Sequence, residues 1–197
     1  MSDKKSKKEL ILRAALKLFS KRGFHATTTK EIAKECGVAE GLIFYHFGDK
    51  RKLLLYLVNH FSFAMRLQEE DDLLSKLPLE EALVHFGMKY LHFLKENFDY
   101  LMLIWSPEMI QDEAISQEVL HLIQNIGTIG GGALNHVIAG EQGGEAANRV
   151  AMMSLTSSIL VYFMIRSRFG ADVLKLEEES YVRELVRMLL HGLVKRQ

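Results

Sequence analysis

The sequence predicts an all-α protein: a head of three short helices followed by a larger helical body. Three observations carry this. Only two Pro occur in 197 residues, at 78 and 107. No stretch shows sustained period-two alternation bounded by turn residues, so strands are not supported. Gly23, Gly37 and Gly48 divide the first fifty residues into short helical pieces.

Each element follows from local chemistry. Leu10, Ile11, Ala14, Ala15, Leu18 and Phe19 repeat on one helical face, and Gly23 ends that helix. Thr28 followed by Glu31 forms a capping box and starts a second helix there. Its short apolar face is Ile32, Ala33 and Cys36, and Gly37 stops it after about two turns. A third helix covers Glu40 to Phe47. Asp49 caps a longer fourth helix from Lys50 to about Gln68. Pro78 begins the next, which runs to about Glu96. A shorter helix covers Phe98 to Trp105 and stops before Pro107, because the residue before Pro disfavours helix. Further helices are expected over roughly 116–139, 144–168 and 178–195, with a weakened or bent stretch at the Gly-rich Gly127 to Gly132.

Composition bounds the class. With 48% apolar residues the chain can bury a sizeable core, and it is neither disordered nor disulfide-built. One Cys forms no internal disulfide. The N-terminus has no uninterrupted apolar stretch of the signal-peptide kind. The uncharged, strongly apolar run Val150 to Ile165 falls short of the ~20 residues of a membrane span. A cytoplasmic protein with no membrane partner is expected.

The net charge of zero conceals a split. Residues 1–52 hold 13 Lys and Arg against 6 Asp and Glu, a net of +7, which the rest of the chain cancels. A small basic head suits a polyanion, because Lys and Arg displace the counterions condensed on nucleic-acid phosphates. A solvated basic end is the plainer alternative. In the third helix, Ile43 and Phe47 are four apart and face the core. Gly41, Leu42 and Tyr45 then point roughly opposite, with Phe44 and His46 on the flanks. Such a face suits thymine methyls, sugars and phosphates in a major groove about 12 Å wide.

The segment from Phe19 to Leu54 resembles the DNA-binding domain of the tetracycline-repressor (TetR) family. The resemblance rests on Gly23-Phe24, Ala26-Thr27-Thr28, Glu31-Ile32-Ala33, Gly37-Val38, Gly41, the aromatic run Phe44-Tyr45-His46-Phe47, and Asp49-Lys50. It covers about the first quarter of the chain. It implies residues 1–49 as a helix-turn-helix DNA-binding domain and 50–197 as a helical ligand-binding and dimerisation domain. It further implies a homodimeric repressor that releases a palindromic double-stranded DNA operator on binding a small molecule. By the same resemblance Thr28 and Thr29 lie near phosphates, and Lys30 reaches a base edge or phosphate. Gly41 permits close approach to DNA, and Leu42 and Phe44 touch bases or backbone. Tyr45, His46 and Lys50 contact phosphates. Two departures stand out. Ala39 removes a side-chain cap from the third helix. Glu40 stands where a neutral or basic residue is more usual; it either accepts from cytosine N4 or, the preferred reading, favours the helix N-terminus.

The last helices carry more apolar surface than one buried stripe requires. Val150, Met153, Leu160, Val161 and Met164, with Val182, Leu185, Val186, Leu189 and Leu193, are expected at a dimer interface built as a four-helix bundle. An intramolecular core is the alternative. Phe61, Met65, Met88, Phe98, Met102, Trp105, Met109, Met152, Tyr162 and Phe163 are candidate walls of an adaptable pocket for a hydrophobic effector. An enzyme is not expected. His85 and His92 are seven apart rather than the three or four of a shared metal, no catalytic motif is present, and no metal or cofactor is implied. The rival reading is a helical lipid- or hydrophobe-binding protein with a basic head. A membrane-facing helix would form one continuous amphipathic stretch, whereas the head is interrupted by three glycines.

Overall fold

A computed structural model describes residues 6–63, 74, 76–123 and 145–192, and among these every regular element is helical. The head contains α1 (Lys7–Arg22), α2 (Thr29–Cys36), α3 (Glu40–Phe47) and α4 (Lys50–His60). Then come α5 (Leu79–Glu96), α6 (Phe98–Ile104) and α7 (Pro107–Gln111). Residues 113–123 form α8. The C-terminal pair is α9 (Glu145–Phe169) and α10 (Glu178–His191). The helix expected to run to Gln68 stops at His60, with Phe61 as its C-cap and Ser62 outside the helix. The Gly127 to Gly132 stretch, Met65 and Leu193 lie outside the described residues.

The chain divides into two compact units. The first comprises residues 1–62 with 97–122, the second 63–96 with 123–197. In the first, α1 buries Ile11, Leu12, Ala15 and Phe19 against α2, α4 and α6. Burial of each large aliphatic side chain contributes about 1.5–3 kcal/mol. The expected capping signals act as read. Thr28 Oγ1 accepts from the Glu31 N–H while the Glu31 carboxylate accepts from the Thr28 N–H. Asp49 accepts from the Lys52 N–H at 2.8 Å. Ala39 leaves α3 without a side-chain cap. Tyr100 on α6 donates to the Val58 carbonyl on α4 at 2.9 Å.

One helix escaped the sequence reading. Ser106 caps α7, with Pro107 at its first position. Pro107 marks a start as well as a stop, because its missing N–H costs nothing in a first turn.

In the second unit α5 packs against both α9 and α10. Phe63 meets Phe86, Tyr90 and Phe93 in one aromatic cluster. Burial there pushes the Tyr90 hydroxyl up to about 12. Residues Asn148–Phe169 of α9 are, by length and a mean hydropathy of 1.4, sufficient to cross a membrane, which corrects the shorter run read from uncharged residues alone. The core helix of a soluble protein passes the same test. Here Leu155, Ile159 and Tyr162 of that helix are buried at the packed face.

Gly87 sets how closely α5 approaches its neighbours. A Cβ there would lie 2.7 Å from Val182 Cγ1 and 3.1 Å from Ile159 Cδ1. Gly87→Ala should therefore destabilise the fold by about 1–3 kcal/mol through overpacking. Denaturant unfolding measures this, and an unchanged midpoint would show that the two side chains yield freely.

Candidate nucleic-acid interface

The outer side of α2 and α3 presents the surface expected for a polyanion. Thr28 and Lys30 are exposed at the start of α2, and Gly41, Phe44 and Tyr45 are exposed along α3. Phe44 is 46% and Tyr45 82% exposed, whereas Ile43 and Phe47 on the opposite face are 0% and 7% exposed. Two large aromatics in water on an eight-residue helix have no folding role that would keep them there. Leu42 and His46 are half-buried on the flanks, with His46 edge-on to Tyr45 at 5.2 Å. A Cβ at Gly41 would meet no atom within 4 Å. The fold does not require glycine at this position.

Three polar candidates are occupied within the protein. Thr29 Oγ1 donates to Glu40 Oε1 at 2.6 Å. The pair ties the start of α2 to the start of α3 and turns the Thr29 hydroxyl proton away from any phosphate. The sequence did not indicate this partner for Glu40. The Lys50 ammonium donates to the Phe24 carbonyl at 2.9 Å and the Thr27 carbonyl at 2.8 Å. It also stands 4.3 Å from the Phe24 ring centroid. Lys50, expected on a phosphate, holds the chain's own turn in this structure, because the Phe24 and Thr27 carbonyls lie within its reach.

That turn, from Gly23 to Thr27, connects α1 to the reading helices. The Thr27 hydroxyl, fully buried, donates to the Gly23 carbonyl at 2.9 Å. Glu108, on α7, accepts from the Phe24 N–H at 2.8 Å and from the His25 N–H at 2.7 Å. Nothing in the sequence marked Glu108; its partners lie more than eighty positions away. The nearby Arg51–Asp112 pair is bidentate, at 2.7 and 2.8 Å. The Arg51 guanidinium holds the Asp112 carboxyl below its usual range. The backbone and side chain of Thr28 likewise lower Glu31. Cys36 is half-buried, its thiol pushed up by burial and donating to the Ile32 carbonyl, as befits a packed small residue.

The expected effector residues fall into both units. Phe61, Phe98, Met102, Trp105 and Met109 belong to the first, and Met88, Met152, Tyr162 and Phe163 to the second. Phe61 and Met109 are core of their unit. Phe98, Met102 and Trp105 are exposed, and Met88 is half-buried. Tyr162 is internal packing rather than a free wall. Its ring stacks on Tyr181 at 4.1 Å and its hydroxyl donates to the Leu176 carbonyl at 2.8 Å.

The expected interface residues also divide. Val150, Met153, Val161 and Met164 are exposed at 65, 69, 56 and 40%, forming one stripe on α9. Leu160 and Leu189 are half-buried. Val182, Leu185 and Val186 turn into their own unit and are buried, so they are withdrawn from any surface a partner could use.

Comparison with known proteins agrees with this architecture. The family described as "Bacterial regulatory proteins, tetR family" matches residues 11–57. The HTH-type transcriptional regulator YvkB of Bacillus subtilis is 29% identical over 196 residues, spanning 93% of this chain and 95% of that one. The HTH-type regulator YerO of the same organism is 34% identical over 109 residues, 54% of this chain but 37% of its own length. The transcriptional regulator FadR of Bacillus subtilis, solved in complex with stearoyl-CoA, superposes with a TM-score of 0.71 at 20% identity. That match covers 94% of this chain and 98% of FadR and shows a shared fold. A helix-turn-helix head, an aromatic outward face on its last helix and these matches together show a TetR-type head over residues 11–57, in a chain similar over nearly its whole length to an HTH-type transcriptional regulator.

Proposed function

We propose that this regulator is a cytoplasmic homodimeric repressor that reads a palindromic operator and releases it on binding a hydrophobic effector. Residues 1–49 are the DNA-binding domain in this reading, and 50–197 the effector and dimerisation domain. The observation that carries it is the outward face of α3, where Phe44 and Tyr45 stand in solvent beside a glycine that the fold does not need. Gly41 brings the helix backbone close to the groove. Leu42 and Phe44 meet bases and sugars, and Thr28, Lys30, Tyr45 and His46 meet phosphates.

Dimerisation is supported by the α9 stripe. Val150, Met153, Val161 and Met164 lie on the face opposite Leu155, Ile159 and Tyr162, leaving an apolar surface that the described residues of its own unit do not bury. A second copy covering it sets two recognition helices about 34–36 Å apart, one DNA turn. For the effector, the fold shared with FadR, which was solved with stearoyl-CoA, favours a long-chain acyl-CoA as the first compound to test. Met88, half-buried, and Met152 and Phe163, buried in the same unit, are the apolar positions assigned to the acyl chain in this reading.

Selection of bound DNA from a random duplex pool tests the reading. Recovery of a palindrome bound by a dimer, with occupancy lowered by stearoyl-CoA, is expected; recovery of salt-sensitive nonspecific binding alone would overturn it. Gly41→Ala should raise thermal stability, since alanine is favoured over glycine in a helix by about 1 kcal/mol. It should simultaneously weaken binding to the selected duplex, and equal affinity of the two proteins would remove close backbone approach from the account. Met153→Glu should halve the mass seen by sedimentation at micromolar concentration, because it places a charge in an apolar seam; an unchanged mass would put the interface elsewhere.

A further inference from the structure

Glu108 is an acid in a basic head, and its placement asks for a reason. Residues 1–52 carry a net charge of +7, which favours a polyanion. A carboxylate added to the same compact unit by α7 opposes that attraction. Yet its two oxygens are spent on consecutive backbone amides, Oε2 on Phe24 and Oε1 on His25. A single rigid group gripping two adjacent N–H donors fixes the turn in two directions at once, and charge-assisted bonds of this kind are short and strong.

The surroundings are built for this grip. Gly23 has φ +88°, and a Cβ there would stand 2.9 Å from Glu108 Oε2. Any side chain at position 23 would meet the carboxylate as well as the unfavourable backbone conformation. Lys50 takes the Phe24 and Thr27 carbonyls of the same turn. Phe24 is buried edge-on to Phe19 at 5.3 Å. The residue that follows, Thr28, caps α2 and begins the outward face.

We propose that Glu108 is a positioning residue for DNA recognition: by clamping the Phe24 and His25 amides it sets where α2, and through Thr29–Glu40 also α3, present their outer faces. Glu108 touches no DNA in this account and acts only through the turn. The role rests on the DNA-binding reading above.

The two possible actions of the carboxylate have opposite signs. As a neighbouring negative charge alone, Glu108 would repel phosphate, and Glu108→Gln would strengthen binding to any duplex. As a positioning residue, Glu108→Gln loses sequence preference. The experiment measures affinity of wild type and Glu108→Gln for the duplex recovered by selection and for a scrambled duplex of equal length and composition. It also follows hydrogen exchange of the Phe24 and His25 amides and thermal unfolding. Expected are a preference for the selected duplex reduced at least tenfold, amide exchange at those two positions at least tenfold faster, and cooperative unfolding retained. Glu108→Asp, which keeps the charge but is too short to span both amides, should show the same loss and serves if the glutamine variant does not fold. An unchanged preference, a uniform gain on both duplexes or unchanged exchange would overturn the proposal. If wild type prefers no duplex at all, the DNA reading fails and this role with it, while amide exchange still reports whether the clamp holds the turn.

Discussion

The head hangs on the five residues from Gly23 to Thr27, between α1 and the cap of α2. A turn has no ladder of hydrogen bonds to hold it, so each of its polar groups needs a separate partner. Here Thr27 supplies two from within, its hydroxyl to the Gly23 carbonyl and its N–H to the Phe24 carbonyl, while Lys50 supplies two from α4 and Glu108 two from α7. Thr28 leaves this turn directly into the capping box of α2. The direction of α2 is thus defined before any of its own side chains packs. The Thr29–Glu40 hydrogen bond carries that definition to α3 across the short Gly37 turn.

The helix so positioned has two unlike faces. Ile43 and Phe47 anchor it in the head, while Phe44 and Tyr45 are left in water. Exposing large aromatic surface costs hydrophobic free energy that burial would have recovered. Under the proposed function, an external partner offering methyl groups, sugars and phosphates would cover them. The same logic applies on α9, where an apolar stripe lies opposite a face already packed in the second unit. In the proposed function, the surplus apolar surface of both helices is where the protein meets another molecule.

Much of this was legible before any coordinates. Caps, glycine breaks and helical spacing are local signals, and they marked where α2 to α4 begin and where α1 to α3 end, along with the inward face of α3. Local signals also have local failures. Pro107 was read as a stop, although Ser106 before it made the pair a helix start. The roles of Lys50, Thr29 and Tyr162 were misjudged for a different reason. Each has a polar group able to reach solvent or its own protein, and which one wins depends on groups brought near by folding. Apolar periodicity on α10 was likewise silent about direction: Val182, Leu185 and Val186 face inward because α5 lies there, with Gly87 allowing its close approach.

The sequence by itself determined an all-helical chain, a basic head of three short helices and an aromatic outward face, because these depend on residues within a few positions of one another. Tertiary structure alone decided that residues 97–122 pack with the head and that Glu108 grips a turn more than eighty residues earlier in the chain. A carboxylate in a five-residue helix has no signature in sequence. Its function comes from two backbone amides that every non-proline residue possesses, and only their position in space distinguishes them.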